Sequence, residues 1–181
     1  MATRLNRKLE YEDYAQLPDD GKRYEVIDGE LHVTPSPSPL HQRLSKRLQR
    51  QLEGYFEARD LGEVFNAPLD VILSRHDIVE PDLLIVGNPA QVSQRGIEGA
   101  PLLVVEVLSP STLSRDRGMK AQRYAELGVA HYWILDPDAR TLDCLRLEEG
   151  TYRRLVQACA PNALHHPDWP DLAIDLDALW R

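Results

Sequence analysis

Glu106 stands inside the apolar run Leu102 to Leu108, where alternation puts Leu102, Val104, Glu106 and Leu108 on one strand face. An ionised carboxylate among such neighbours carries a large desolvation penalty unless it is paired or binds a cation. Asp82 follows Pro81 at the head of a second apolar strand, Leu83-Leu84-Ile85-Val86. By itself a Pro-Asp pair is an ordinary turn signal. Two carboxylates at the ends of neighbouring buried strands instead supply hard oxygen ligands for Mg2+ or Mn2+, with phosphate oxygens and water completing the shell. An ion so held suits phosphodiester hydrolysis. That chemistry wants a further group near the attacking water, and Lys120, in the helix after the Glu106 strand, is the candidate. An Asp116–Lys120 pair on a solvated helix face is the alternative for the lysine, and an arginine partner is the alternative for Glu106.

The elements that position these residues read as strands and helices intermixed. Tyr11 to Leu17 suggests a short helix stopped by Pro18, and Arg23 to Ile27 and Glu30 to Thr34 flank an Asp28-Gly29 hairpin signal. The Pro35-Ser36-Pro37-Ser38-Pro39 stretch reads as an extended loop. It leads into a helix whose apolar face is Leu40, Leu44, Leu48, Leu52 and Tyr55. Strands are expected at Glu63 to Asn66, Leu69 to Leu73, Leu83 to Val86, Leu102 to Leu108 and His131 to Leu135. A turn is expected near Arg75-His76-Asp77, a loop or short helix over Gln91 to Gly99, and a helix over Arg115 to Leu127. A hairpin around Glu148-Glu149-Gly150 and a short helix from Asp175 to Trp180 close the chain. The fold class is α/β (α+β), a central mixed sheet flanked by helices. With 181 residues and no linker or repeat, residues 1–181 read as one domain.

Bulk properties narrow the function. The formal charge of −8 argues against coating nucleic acid by charge alone, yet permits a local basic patch beside an acidic site. Such patches are available as Arg43, Lys46, Arg47 and Arg50 on one helix and Arg115, Arg117 and Arg123 on the other. A solvated helix face is the alternative reading of the first stripe. Cys144 and Cys159 have neither zinc-knuckle nor disulfide-framework spacing. P-loop, Gly-x-Ser-x-Gly and dinucleotide fingerprints are missing. No apolar run is long enough to span a bilayer, and the basic Met1 to Lys8 stretch lacks a following apolar region, so a cytoplasmic, membrane-free setting is expected.

Several motifs then occur together. They are Glu25-x-x-x-Gly29-x-Leu31, Pro39-x-His41, Pro81-Asp82 and Pro101-Leu102-x-x-x-Glu106-Val107-x-Ser109-Pro110-Ser111-Thr112, followed by Asp116-x-x-x-Lys120-x-x-x-Tyr124 and Tyr132-Trp133-Ile134-x-Asp136-Pro137. In this order they resemble the Uma-type putative restriction endonucleases, first catalogued as a domain of unknown function. The resemblance runs over about residues 11–156 and leaves a tail, 157–181. It implies a PD-(D/E)XK nuclease fold acting on DNA, with Asp82 and Glu106 as metal ligands. The lysine that this pattern places two residues after the acid is here Leu108. The resemblance implies that Lys120 substitutes for it and that Glu25 and His41 line the site. A histidine at a helix start is otherwise a cap or surface residue. A nuclease-like fold kept as a binding or scaffolding module is the rival reading. The apolar tail positions Leu172, Ile174, Leu176, Leu179 and Trp180 suggest a homodimer surface.

Overall fold

The structure is a computed structural model that describes residues 7–181; the Met1 to Lys8 expectation falls mainly outside that range. A one-turn helix α1 (Tyr11–Tyr14) precedes the hairpin β1 (Arg23–Ile27) and β2 (Glu30–Thr34). Asp28 and Gly29 take φ of 50° and 80°, the left-handed pair that a type I′ turn requires. Helix α2 (Pro39–Phe56) follows, then β3 (Glu63–Asn66), β4 (Val71–Ser74), β5 (Asp77–Val79) and β6 (Leu83–Val86). Next come the short β7 (Val92–Ser93) and β8 (Gly96–Glu98), and β9 (Leu103–Val107). A continuous helical stretch is built from α3 (Leu113–Arg115), a π turn (Asp116–Lys120) and α4 (Ala121–Glu126). Strands β10 (His131–Asp136), β11 (Thr141–Glu148), β12 (Thr151–Cys159), β13 (Ala163–His165) and β14 (Ala173–Asp175) lead to α5 (Leu176–Trp180).

The central sheet has the order β12-β11-β10-β9-β6-β3, with β9 and β10 parallel and its other pairs antiparallel. The helical stretch between β9 and β10 makes their crossover, as parallel neighbours require. Leu103, Val105, Val107 and Trp133 face one way, against Leu44, Leu48 and Leu52 of α2 and against the C-terminal segment. Each such leucine contributes about 1.5–3 kcal/mol by leaving water. Val104, Leu108, Tyr132 and Ile134 face the other way, against Tyr124 of α4 and a second sheet of order β2-β1-β5-β4-β8-β7. The face that carries Glu106 is therefore sandwiched between sheets. No helix among the described residues is long and apolar enough to cross a membrane.

Several local expectations shift. Ser38 caps α2, Pro39 occupies its first turn, and the core face is His41, Leu44, Leu48, Leu52 and Tyr55, while Leu40 is 41% exposed. The turn expected near Arg75-His76-Asp77 leads directly into strand β5, which starts at Asp77. Gln91–Gly99 holds β7 and β8 rather than a loop or short helix, and β8 aligns parallel with β4 through Val71↔Ile97. The apolar tail turns inward: Leu172, Ile174, Leu176 and Leu179 are buried in this chain's own core, with Trp180 packed beside them.

One ion pair ties the second sheet to α4. Asp77, wholly buried, accepts from Arg123 Nε at 2.7 Å and Nη2 at 2.8 Å, from Ser74 Oγ at 2.6 Å and from the Asp28 amide at 2.8 Å. Burial alone would raise this carboxyl; the bonds from Arg123 and Ser74 outweigh it and hold Asp77 below its usual range. A depressed acid stabilises the fold above its unfolded pKa of about 3.9, and that stability is lost as pH falls through the folded value. Asp77→Asn is expected to cost about 3 kcal/mol, the low end for breaking a buried pair, because Arg123 retains 25% side-chain exposure. Urea unfolding at pH 7 and pH 3 checks this, and the deficit should narrow at the lower pH.

Candidate active site

Strand register brings the two carboxylates together. β6 runs antiparallel to β9 with Leu83 opposite Val105, so Asp82 arrives opposite Glu106 and on the same face. Asp82 Oδ2 accepts from the Val107 amide at 2.9 Å and lies 3.1 Å from His41 Nε2; Oδ1 accepts from Arg23 Nη1 at 3.2 Å. Glu106 Oε1 receives two donors, Lys120 Nζ and the Tyr124 hydroxyl, each at 2.9 Å. Lys120 Nζ also lies 2.7 Å from Glu25 Oε1 and 3.9 Å from Asp116 Oδ1. Lys120 is 3% exposed, so the solvated-face alternative for it is overturned.

The π turn explains how one helix delivers three side chains to one spot. Asp116, Lys120 and Tyr124 are spaced by four residues, and all three are buried. In a plain α-helix each four-residue step overshoots the turn by about 40°. The wider turn offsets that drift, and such turns are frequent at functional sites.

Four buried carboxylates (Glu25, Asp82, Glu106 and Asp116) and the exposed Asp138 share the cavity wall with three fixed cations, Arg23, Arg115 and Lys120. Burial dominates at Glu106 and, with Asp116, Asp82 and Glu25 adding their charge, pushes it up to about 8 despite Lys120. At Lys120 burial opposes the charge, but Glu106, Glu25 and Asp116 outweigh it and raise the ammonium's pKa. The Lys120–Glu106 pair thus leaves the lysine charged while Glu106 still favours its neutral form, because one ammonium is shared among several acids. Burial likewise opposes ionisation at Asp82 and Glu25. The His41 bond and Arg23 overcome it at the first, and Lys120 overcomes it at the second, so both are lowered.

The cavity measures about 250 Å3 and is walled by the Pro35–Ser38 loop, the Ser109–Thr112 loop and Pro137-Asp138. A neighbouring cavity of about 220 Å3 shares Arg23, His41 and Asp82 with it and reaches Lys46, Gln49 and Asn66.

The expected basic residues divide. Arg115 lines the main cavity, donating to Thr34 Oγ1 at 2.7 Å, and Lys46 lines the neighbouring one. Arg43 and Arg50 project into solvent. Arg47 donates to the Leu179 carbonyl at 2.7 Å, and Arg117 pairs with Asp136 and Asp143. Arg123 is engaged by Asp77 and Glu126. His41 is buried on Asp82, and Ser38, not His41, caps α2, accepting from the His41 amide. Leu108, where a lysine fits the simplest pattern, is buried with Val104 and Ile134.

Arg23 and Glu80 were not foreseen. Arg23 sits two residues before Glu25 on one face of β1, which alternation alone could have flagged. It is bound by Glu80 through both the side chain, at 3.3 Å, and the carbonyl.

Residues 11–177 match the family Uma2, putative restriction endonuclease. The chain belongs to this family. The match continues past residue 156 and takes in the C-terminal segment that packs on α2. An uncharacterized protein of Synechocystis sp. is 32% identical to this Uma2 member over 130 residues, 71% of this chain and 68% of that one. The crystal structure of a putative nuclease belonging to DUF820 from Anabaena variabilis aligns over 95% of this chain and 97% of its own. The TM-score is 0.76 at 16% identity, which establishes a shared fold. Family and fold together give this Uma2 chain a restriction-endonuclease-like architecture, an α/β fold with a central mixed sheet flanked by helices.

The donor set of the Uma2 cavity suits a hard divalent cation. Asp82, Glu106 and Glu25 present only oxygen, and the Asp116 Oδ1 atom is buried without a hydrogen-bond partner among the described residues. A separate cluster, His131, His166 and Asp168, brings one ligand-type atom from each residue within 4.8 Å of the others and could coordinate a metal.

Proposed function

We propose that this chain is a Mg2+- or Mn2+-dependent endonuclease that hydrolyses DNA phosphodiester bonds. The observation that carries the reading is the convergence of Asp82, Glu106 and Lys120 on one buried spot, with the lysine 2.9 Å from Glu106 although it comes from the following helix. Asp82 and Glu106 would hold the cation, with Glu25 beside them. A divalent ion there supplies polarisation of a phosphoryl oxygen and a more acidic water. The protein's own groups do the remaining work. His41, Arg23 and the Val107 amide fix the Asp82 carboxylate, and Tyr124 fixes Glu106. Lys120, kept protonated by its acidic neighbours, orients the attacking water and offsets charge on the pentavalent phosphorus. Arg115 at the cavity wall is placed to contact a non-bridging phosphate oxygen.

A second reading has an observation of its own. Arg23 and Lys120 already neutralise the carboxylates, as in an ion-pair network of a binding or scaffolding module. Calorimetric titration with Mg2+ and Mn2+, run beside cleavage of plasmid, single-stranded and branched DNA, separates the two. The nuclease reading expects binding by the native protein and its loss in Asp82→Asn. If the native protein binds neither ion and Asp82→Asn alters stability alone, the module reading takes over.

A further inference from the structure

The second cluster lies away from the carboxylates, on the opposite face of the central sheet. His131 opens β10 opposite Leu103, whereas Glu106 pairs with Ile134 three residues along. His131 alternates onto the face of Trp133 and Leu135, which pack against α2 and the C-terminal segment. His166 follows β13, and Asp168 lies in the loop before β14.

Three buried atoms in this cluster have no hydrogen-bond partner among the described residues: His131 Nδ1, His166 Nε2 and Asp168 Oδ2. Residues His131 and His166 are 8% and 4% exposed. A buried polar atom left unpaired is costly and calls for an occupant. Here three such atoms come from three residues whose ligand-type atoms gather within 4.8 Å. The other Asp168 oxygen accepts from Arg146 Nη1 at 2.7 Å, so one oxygen is anchored and one is left over. Trp169 packs on both imidazoles, at 4.4 Å from His131 and 4.3 Å from His166.

We propose that His131, His166 and Asp168 form a second metal site that takes Zn2+ and fastens the C-terminal segment to β10. Two imidazoles and one carboxylate are zinc ligands, and water completes the tetrahedron. Mg2+ prefers an all-oxygen shell and is disfavoured here.

Loading the site changes one hydrogen bond. The Asp168 amide donates to His166 Nδ1 at 3.1 Å, so without metal the ring proton sits on Nε2. Zinc at Nε2 moves that proton to Nδ1 and releases the amide. The ligand atoms also draw in to roughly 3.3 Å apart, the edge of a tetrahedron with bonds of about 2.0–2.1 Å. Both changes fall on the His166–Trp169 loop. Water is the competing occupant, since it can accept from His166 Nε2 and donate to Asp168 Oδ2.

Co2+ titration of the untagged full chain tests the site, in an Asp82→Asn, Glu106→Gln background that removes the carboxylate pair. One equivalent should give visible ligand-field bands and quench tryptophan fluorescence through Trp169, and one equivalent of Zn2+ should erase the bands. His131→Gln and Asp168→Asn should each weaken Co2+ binding by at least about tenfold, the loss that even an outer partner of a metal ligand causes. Circular dichroism identifies a variant that fails to fold, and the other then carries the comparison. Absent bands and quenching in the native cluster, or an unchanged titration in the folded variants, overturns the proposal and leaves water as the occupant.

Discussion

Glu106→Gln is expected to lower Mg2+-dependent DNA cleavage by about 10²–10³-fold, comparable to the loss of a preorganised transition-state contact, while making the metal-free protein more stable above neutral pH. The two effects have one cause. Lys120 and Tyr124 both donate to Glu106 Oε1, and glutamine offers them the same oxygen. What it lacks is the charge that a cation would use. In the metal-free protein that charge is a burden: burial raises Glu106 from 4.5 to about 8, so the folded chain keeps a proton that the unfolded chain has released. A raised acid contributes most stability below the unfolded value and loses it as pH climbs toward the folded one. Across pH 4.5 to 8 the native protein should therefore weaken by at most about 1.4 kcal/mol per pH unit from this group, and Glu106→Gln should flatten that slope. Urea titrations at several pH values with chelator present measure it. Equal slopes in the two proteins would remove the case for a destabilising acid held for chemistry, and undiminished cleavage by the variant would remove Glu106 from the site.

Lys120→Met separates structure from chemistry at the other key position. The substitution keeps the bulk of the stem and deletes the ammonium that Glu25, Glu106 and Asp116 share. Removing one partner of a buried ion pair costs about 3–5 kcal/mol. Because the orphaned carboxylates can take up protons, the deficit should be smaller at pH 5 than at pH 8. Mg2+ replaces the lost positive charge, so it should raise the melting temperature of Lys120→Met more than that of the native protein. Cleavage should fall by about 10²–10³-fold, the usual range for a lost preorganised charge contact in the transition state. Full cleavage at normal rates would leave Lys120 as a purely structural cation.

Glu106 was legible in the sequence because a carboxylate in an otherwise apolar alternation has no bland place to go. Asp82 was legible because β6 is short, apolar and able to reverse beside β9. Arg23 was not. It comes from a hairpin in the other sheet, joined to β5 at the Val26↔Ile78 register, and nothing local says that its guanidinium crosses to Asp82. His41 was legible through the resemblance and not through periodicity: Leu40 heads the apolar stripe in the sequence, whereas the buried stripe is 41-44-48-52-55. The tail shows a different limit. Periodicity reveals an apolar face but not what covers it, and Leu176 and Leu179 turned out to cover this chain's own α2 layer. Strands of two or three residues, such as β7 and β8, carry too few alternations to register at all.

The π turn at Asp116–Lys120 also sets what evolution can do with this segment. Its outward Met119, 43% exposed, is free to drift. Its length is not. Deleting one residue would restore an ordinary α ladder and rotate everything downstream by about 100°, carrying Tyr124 off Glu106. Relatives that keep the site should therefore hold Asp116 and Lys120, vary at the outward position 119, and admit insertions or deletions hardly ever, a gap-free stretch recognisable in an alignment by its spacing.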